Sequence, residues 1–166
     1  MTMRALFVFF AFLISLLNVQ AVAQEFLDPM VAFKPTARAL DGQTVEIRYE
    51  IAKGYYLYRD KFRVHPVDEN ITLGELQIPR GKEKNDENFG LVEVFYKEVA
   101  FRVPVDRISS GSLALRLDVI SQGCADAGVC YPPQTQTVDV VLPDPASTPA
   151  VAPMAQNAPA GEGDES

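Results

Sequence analysis

The sequence predicts an all-β domain, a β-sandwich assembled from many short strands. Apolar and polar residues alternate in several short segments, as they do in strands with one buried face. Glycine, proline, asparagine and aspartate separate these segments and mark turns. No convincing helical period or internal repeat is present, and ten phenylalanines and six tyrosines can fill a β-type interior.

The first 23 residues are predicted to be a targeting signal and not part of the fold. A short basic start precedes an apolar run of thirteen residues, Ala5 to Leu17, and Ala21-Val22-Ala23 fits a signal-peptidase cleavage site. An uncleaved anchor is the alternative, but the run is short for a membrane span. Export would place the cysteines in an oxidising compartment, where a disulfide can persist.

Residues 24–142 are predicted to form one domain, whose strands follow in order. Thr44 to Ile51 alternates most clearly, with Val45, Ile47, Tyr49 and Ile51 on one face. After the Lys53-Gly54 turn the predicted strands are Tyr55 to Tyr58, Phe62 to Val67, Ile71 to Ile78, and Leu91 to Val105, the last being two strands joined near Lys97-Glu98.

A β-hairpin is predicted around the only two cysteines, Cys124 and Cys130. Leu113 to Ser121 and Thr135 to Leu142 are its predicted strands, and Gly123, Asp126 and Gly128 are turn formers, so each arm is expected to carry one thiol. Facing cysteines near a hairpin end can meet the distance that a disulfide requires. A loop this short would stabilise the fold by about 2.4 kcal/mol, less than a long-range bridge would. The spacing alone leaves open a purely structural disulfide.

Three motifs together resemble the N-terminal periplasmic domain of the thiol:disulfide interchange protein DsbD. They are Gln-Gly-Cys-Ala-Asp-Ala-Gly-Val-Cys-Tyr-Pro-Pro at 122–133, Gly-Tyr-Tyr-Leu-Tyr-Arg at 54–59 and Asp-Glu-Asn-Phe-Gly at 86–90. They occur in the family's order, and the resemblance covers roughly Phe26 to Leu142. It implies an immunoglobulin-like β-sandwich in the periplasm that performs thiol–disulfide exchange. The alternative is an exported binding module whose disulfide is only structural.

The resemblance also assigns roles to individual residues. Cys130 would bond to the partner, and Cys124 would resolve the mixed disulfide. Tyr56 and Tyr58 would lie beside the cysteines; strand alternation puts these two on one face with Tyr55 opposite. Filling of the core by these aromatic rings is the alternative interpretation.

Asp86, Glu87 and Phe89 belong to a segment that, taken alone, is a solvated surface turn. The resemblance makes it a cap, whose aromatic ring covers the disulfide and moves aside for a partner. Family members often carry two adjacent aromatics before the glycine, whereas this chain has Asn88 in place of the first. Acids near a thiol, here Asp126 and also Asp86 and Glu87, would favour the protonated thiol.

Composition and the remaining residues restrict the other functional classes. With 22 acidic and 15 basic side chains the net charge is −7, which leaves no basic surface for nucleic acid. His65 is the only histidine, so neither a structural zinc site nor a hydrolase site is predicted. No cofactor is implied, because the cysteine pair is itself the redox centre.

The resemblance implies thioredoxin-fold partners, either a disulfide isomerase or a cytochrome c maturation thioredoxin. It further implies a membrane-linked thioredoxin-like electron donor. Residues 143–166, with five prolines and four acids, are predicted to be a flexible tail. In the family a membrane-embedded domain follows at about this point, and the sequence leaves open whether this chain acts alone.

Overall fold

The computed structural model describes residues 25–147, which form an antiparallel immunoglobulin-like β-sandwich, as predicted. One short helix, α1 (Pro29–Ala32), begins the described region, and 3-10 helices lie at Arg59–Lys61 and Pro145–Ser147. The strands are β1 (Phe33–Asp41), β2 (Thr44–Ile51), β3 (Tyr55–Tyr58), β4 (Arg63–Pro66), β5 (Thr72–Leu73), β6 (Lys82–Asp86), β7 (Gly90–Phe95), β8 (Glu98–Asp106), β9 (Leu113–Ser121), β10 (Gly123–Ala125) and β11 (Gln134–Leu142). Within residues 25–147 no helix has the length and apolar composition needed to cross a membrane.

The strands form three sheets. Two of them, ordered β1-β2-β8-β5 and β11-β9-β4, contribute their buried side chains to one hydrophobic core. The third, ordered β10-β3-β7-β6, carries the cysteine segment at one edge and β6 at the other. The strands that position the cysteines therefore belong to a different sheet from the long strands that hold the core.

The predicted core faces of the long strands are confirmed. Val45, Ile47 and Tyr49 on β2 are fully buried, while Glu46 and Arg48 on the other face take part in salt bridges. The same alternation buries Leu115, Leu117 and Val119 on β9 and Val138, Val140 and Leu142 on β11. Apolar residues at every second position explain this result, because successive side chains of a strand point to opposite faces.

Several predicted strand limits are confirmed, and one long strand is wrong. The predicted break near Lys97 separates β7 from β8, and Lys97 has a positive φ of 65°. The strand predicted over Ile71 to Ile78 is reduced to β5 and an isolated bridge between Gln77 and Arg102. β5 pairs with Val105 and Asp106 of β8. The next residue along β8, Pro104, has no backbone N–H to donate, so the regular ladder ends there.

The predicted hairpin is formed, but its arms do not carry the thiols. β9 and β11 pair from Leu113 opposite Leu142 to Ser121 opposite Gln134. The chain between them leaves this sheet, and β10 pairs with β3 instead, so that Cys124 lies opposite Tyr56. Gly123 permits this, because a β-carbon there would lie 2.7 Å from the Phe33 ring and would meet the Tyr56 carbonyl.

The two terminal predictions fall largely outside the described residues. The predicted signal peptide, residues 1–23, lies outside them, as does the predicted tail beyond residue 147. The first residues after the predicted domain end, 143–147, are tied to the domain. Asp144 Oδ2 accepts a hydrogen bond from the Gly111 backbone nitrogen at 2.9 Å, and the backbone of Pro145 lies against Gly42.

Candidate redox site

Strand β3 separates the hydrophobic core from the candidate site. Tyr55 and Leu57 belong to the main core, whereas Tyr56 and Tyr58 on the opposite face pack in a small second cluster with Val94. Tyr56 is 4% exposed and Tyr58 is fully buried. The prediction that Tyr56 and Tyr58 share a face is therefore confirmed, and that face is the one on which Cys124 lies.

The two cysteines form a disulfide with unequal access to solvent. Their Cα atoms are 4.0 Å apart. A tight turn brings them together, with Ala125 accepting from Gly128 N at 2.9 Å and Gly128 at a φ of 93°. Cys124 is fully buried, whereas Cys130 is exposed. An incoming thiol would therefore reach Cys130 first.

Asp86, at the end of β6, is the buried acid of the site. Its Oδ2 accepts hydrogen bonds from the hydroxyls of Tyr56 at 2.7 Å and Tyr58 at 2.8 Å. Its Oδ1 accepts from the backbone nitrogens of Asn88 at 2.9 Å and Phe89 at 3.2 Å. One carboxylate thus joins the tyrosines of β3 to the following turn.

The electrostatics of this cluster keep the carboxylate charged and the phenols protonated. Burial raises the pKa of Asp86, but the hydrogen bonds from Tyr56, Asn88, Tyr58 and Phe89 outweigh it and hold that pKa below its usual range. Burial also raises the pKa of Tyr58, to about 12, with the Asp86 hydrogen bond adding to the effect. Burial and then the hydrogen bond to Asp86 raise the pKa of Tyr56 as well.

The Tyr58 hydroxyl links this cluster to the disulfide. It lies 3.0 Å from Cys124 Sγ and 4.0 Å from Cys130 Sγ. When the disulfide is reduced, a Cys124 thiol can donate to the Tyr58 oxygen, whose own proton is donated to Asp86. The buried sulfur therefore has a hydrogen-bonded connection to a charged carboxylate.

The turn between β6 and β7 contacts the site through two side chains, Phe89 against Tyr58 and Asn88 against Cys130. We name residues 86–90 the cap loop. Phe89 is 44% exposed and packs edge-on against Tyr58, with ring centroids 5.1 Å apart, and Lys61 Nζ lies 4.7 Å from its ring centre. The cap-loop side chain that contacts the exposed residue Cys130 is Asn88, whose Nδ2 donates to Cys130 Sγ at 3.4 Å.

A cleft of about 330 Å³ opens between the cap loop and the cysteine turn. Cys130, Tyr56 and Asp86 line it together with Lys84, Glu87, Asn88 and Asp126. Asp126 accepts a hydrogen bond from Tyr96 at 3.1 Å, and Lys84 Nζ lies 4.7 Å from the centre of the Tyr56 ring. Within residues 25–147 no group of three or more potential ligands is arranged to hold a metal ion.

Comparison with known proteins identifies the family. The sequence model described as "Thiol:disulfide interchange protein DsbD, N-terminal" matches residues 23–142. The chain belongs to this DsbD N-terminal domain family. Among curated relatives, it is 40% identical to thiol:disulfide interchange protein DsbD 1 of Pseudomonas aeruginosa over 134 residues, which is 81% of this chain and 22% of that protein. It is also 40% identical to DsbD of Ralstonia nicotianae, covering 86% of this chain and 22% of the relative. The chain thus spans about a fifth of the length of these relatives.

Two solved structures support the DsbD assignment. The reduced DsbD N-terminal domain of Neisseria meningitidis aligns with a TM-score of 0.62 and 33% identity, covering 71% of this chain and 91% of that chain. A structure of the complex between the DsbD and PilB N-terminal domains from the same organism aligns with a TM-score of 0.56 and 35% identity, covering 70% and 88%.

The DsbD-type site contains residues that sequence analysis missed. The charged segment 82–85 belongs to strand β6, and strand alternation places Lys82 and Lys84 on the same face as Asp86. Lys82 Nζ lies 6.0 Å from the ring centre of Tyr96, a tyrosine also unassigned from the sequence. The sequence gives little indication of this strand, because a charged, solvated edge strand has no apolar alternation.

Proposed function

We propose that this chain is a redox domain that passes electrons through the Cys124–Cys130 pair to disulfides of thioredoxin-fold proteins. The observation that carries the proposal is a single disulfide with one exposed sulfur-bearing residue, Cys130, and one buried one, Cys124. Such asymmetry suits a pair in which the exposed cysteine forms the mixed disulfide with the partner and the buried cysteine then resolves it. Family membership supports the same activity.

The exchange takes two steps, and two electrons move. The Cys130 thiolate attacks one sulfur of the partner's disulfide, which forms a mixed disulfide and releases the partner's second sulfur as a thiolate that takes up a proton. Cys124, deprotonated, then attacks Cys130 Sγ. The Cys124–Cys130 bond forms and the mixed bond breaks. The released partner thiolate takes up a proton equivalent to the one that Cys124 lost, so the partner leaves as a dithiol.

The surrounding residues would serve these steps in different ways. Tyr58, 3.0 Å from Cys124 Sγ, would accept a hydrogen bond from the buried thiol, and Tyr56 and Asp86 would fix Tyr58 in place. Phe89, packed on Tyr58, would limit access to the pair from that side. Glu87, exposed on the cap loop, would meet the partner at the rim of the cleft.

Partners and location follow from the family. We propose that the dithiol reduces a disulfide isomerase or a cytochrome c maturation thioredoxin in the periplasm, after export directed by residues 1–23. A membrane-linked thioredoxin-like protein would reduce the disulfide again. The structure of a DsbD N-terminal domain in complex with a PilB N-terminal domain supports the proposal that this domain binds a domain of another protein. The cysteine pair would serve as the redox centre without an added cofactor.

Trapping of the mixed disulfide tests the proposal. Cys124→Ser should let Cys130 accumulate as a mixed disulfide with a thioredoxin-fold protein on a non-reducing gel, because the resolving thiol is gone. Cys130→Ser should give little or none. Equal trapping by both variants would contradict the assigned roles, and circular dichroism of both variants checks that they remain folded.

The reduction potential separates this function from a structural disulfide. A potential in the range of the thioredoxin-like carriers, from about −270 to about −120 mV, is expected for a working pair. A potential below about −300 mV, together with no trapping by either variant, would indicate a structural bridge instead.

A further inference from the structure

Asn88 is the only cap-loop residue for which a side-chain contact with a cysteine sulfur is found in the described part of the chain. Its Nδ2 donates to Cys130 Sγ at 3.4 Å. Its backbone nitrogen donates to Asp86 Oδ1 at 2.9 Å, and Asp86 is itself held by two tyrosine hydroxyls. Asp86 therefore holds the Asn88 backbone while the Asn88 side-chain amide is directed at Cys130 Sγ.

We propose that Asn88 is a hydrogen-bond donor that stabilises the thiolate of Cys130 during exchange. This inference rests on the proposed function and adds a residue to it. An N–H group donates more strongly to an anionic sulfur than to a neutral one, so the same contact that exists in the disulfide becomes stronger when Cys130 carries the charge. Thiolate, not thiol, is the attacking species.

The charges around Cys130 explain why a neutral hydrogen-bond donor would help to stabilise its thiolate. Lys84 and Asp86 on β6, Glu87 on the cap loop and Asp126 on the cysteine turn line the cleft. Lys61 of the 3-10 helix lies beside Phe89 and forms a salt bridge with Asp60. The polar hydroxyl of Tyr58 on β3 lies 4.0 Å from Cys130 Sγ. The lysines favour a negative charge on Cys130, but the three carboxylates that line the cleft disfavour one. Asn88 opposes that effect at contact distance without adding a charge.

The size of the effect can be estimated from the strength of one such bond. A hydrogen bond to a charged group changes an equilibrium by about tenfold or more, so loss of the donor should reduce the thiolate fraction by about tenfold at pH values where the thiol predominates. The remaining thiolate becomes intrinsically more nucleophilic, which recovers about threefold. The net expected loss in exchange rate is therefore about three- to fourfold.

Alkylation of the reduced chain tests this inference without any partner protein. Asn88→Leu keeps the approximate size of the side chain but removes the donor, and Asn88→Asp keeps the shape but places a carboxylate at the sulfur. Asn70→Leu is the matched control, since Asn70 is an exposed asparagine whose amide donates to Asp68 at 2.8 Å. The rate of Cys130 alkylation by iodoacetamide is measured across pH, with mass spectrometry to identify the modified cysteine.

The expected result is a midpoint of the alkylation profile at higher pH in Asn88→Leu, higher still in Asn88→Asp, and unchanged in Asn70→Leu. A midpoint in Asn88→Leu equal to that of the unmodified chain would overturn the inference, as would one in Asn88→Asp that is not raised. Near-ultraviolet circular dichroism reports the tyrosine environment. If that spectrum changes in the leucine variant, Asn88→Ala, which also lacks a donor, replaces it. The midpoints do not depend on trapping, so failure of the exchange function and failure of this inference give different results.

Discussion

Replacing Asp86 by alanine should destabilise the domain more than replacement of an ordinary surface aspartate. The hydroxyls of Tyr56 and Tyr58 both donate to Asp86 Oδ2 and are buried, so they would lose their acceptor. An unsatisfied buried hydroxyl costs about 1–3 kcal/mol, which gives an expected loss of about 2–4 kcal/mol after partial relaxation. The backbone nitrogens of Asn88 and Phe89 add little, because these residues are exposed and water can replace the carboxylate.

The effect should depend on pH in a defined direction. The hydrogen bonds hold the pKa of Asp86 below the pKa of an aspartate in the unfolded chain. The Asp86 carboxylate therefore binds a proton less readily in the folded state than in the unfolded state. The stabilisation from this ionisation is fully present above the unfolded pKa of about 3.9 and is lost as pH falls through the lower, folded pKa. The stability difference between the unmodified chain and Asp86→Ala should therefore shrink under acidic conditions.

Urea unfolding of the oxidised proteins, followed by circular dichroism near pH 7 and again in acid, measures both effects. Asp68→Ala is the control: Asp68 Oδ1 also accepts a backbone hydrogen bond two residues on, from Asn70 at 3.0 Å, but it is exposed. It should change stability little. A loss in Asp86→Ala no larger than in this control would refute the argument that the two phenols depend on the carboxylate.

Three further changes test other parts of the structure. Phe89→Ala should speed reduction of the disulfide by dithiothreitol, with a stability loss of about 1 kcal/mol or less from the lost ring contact with Tyr58; an unchanged rate would show that Phe89 does not limit access. Gly123→Ala should lower the free energy of unfolding by about 3 kcal/mol in urea, because the methyl group meets the backbone of β3; a loss near zero would mean that β10 can move away freely. Truncation after Ser147 should leave the thermal midpoint and the reduction potential unchanged. Truncation after Leu142 should lower the thermal midpoint, because it removes the contact of Asp144 with Gly111. A drop of several degrees on truncation after Ser147 would show that the tail docks on the domain.

The sequence could predict those features that depend on local pattern. Alternation assigned the buried face of β2, because Val45, Ile47 and Tyr49 repeat at every second position and face a single core. The same reasoning put Tyr56 and Tyr58 on one side of β3. The resemblance to DsbD supplied what alternation could not, namely which face of β3 meets the cysteines.

Features that depend on distant pairing were beyond the reach of local pattern. β10 has only three residues, and its pairing with β3 depends on the absence of a side chain at Gly123, where the backbone of Tyr56 and the ring of Phe33 approach. β6 consists of charged and polar residues, so its sequence resembles a loop, and it is ordered by pairing with β7. Such strands owe their conformation to neighbours many residues away.

The position of Asn88 shows how these two kinds of information combine. The motif comparison marked Asn88 as a departure from the usual pair of aromatics before the glycine. The geometry gives the departure a chemical meaning: Asp86 at the end of β6 fixes the Asn88 backbone, and the side-chain amide meets Cys130. An aromatic ring could exclude solvent from the sulfur but offers no N–H to a thiolate. If Asn88 stabilises the thiolate as we propose, an amide at this position supplies a hydrogen bond in place of shielding by a ring, and the alkylation profiles of the Asn88 variants test that hydrogen bond.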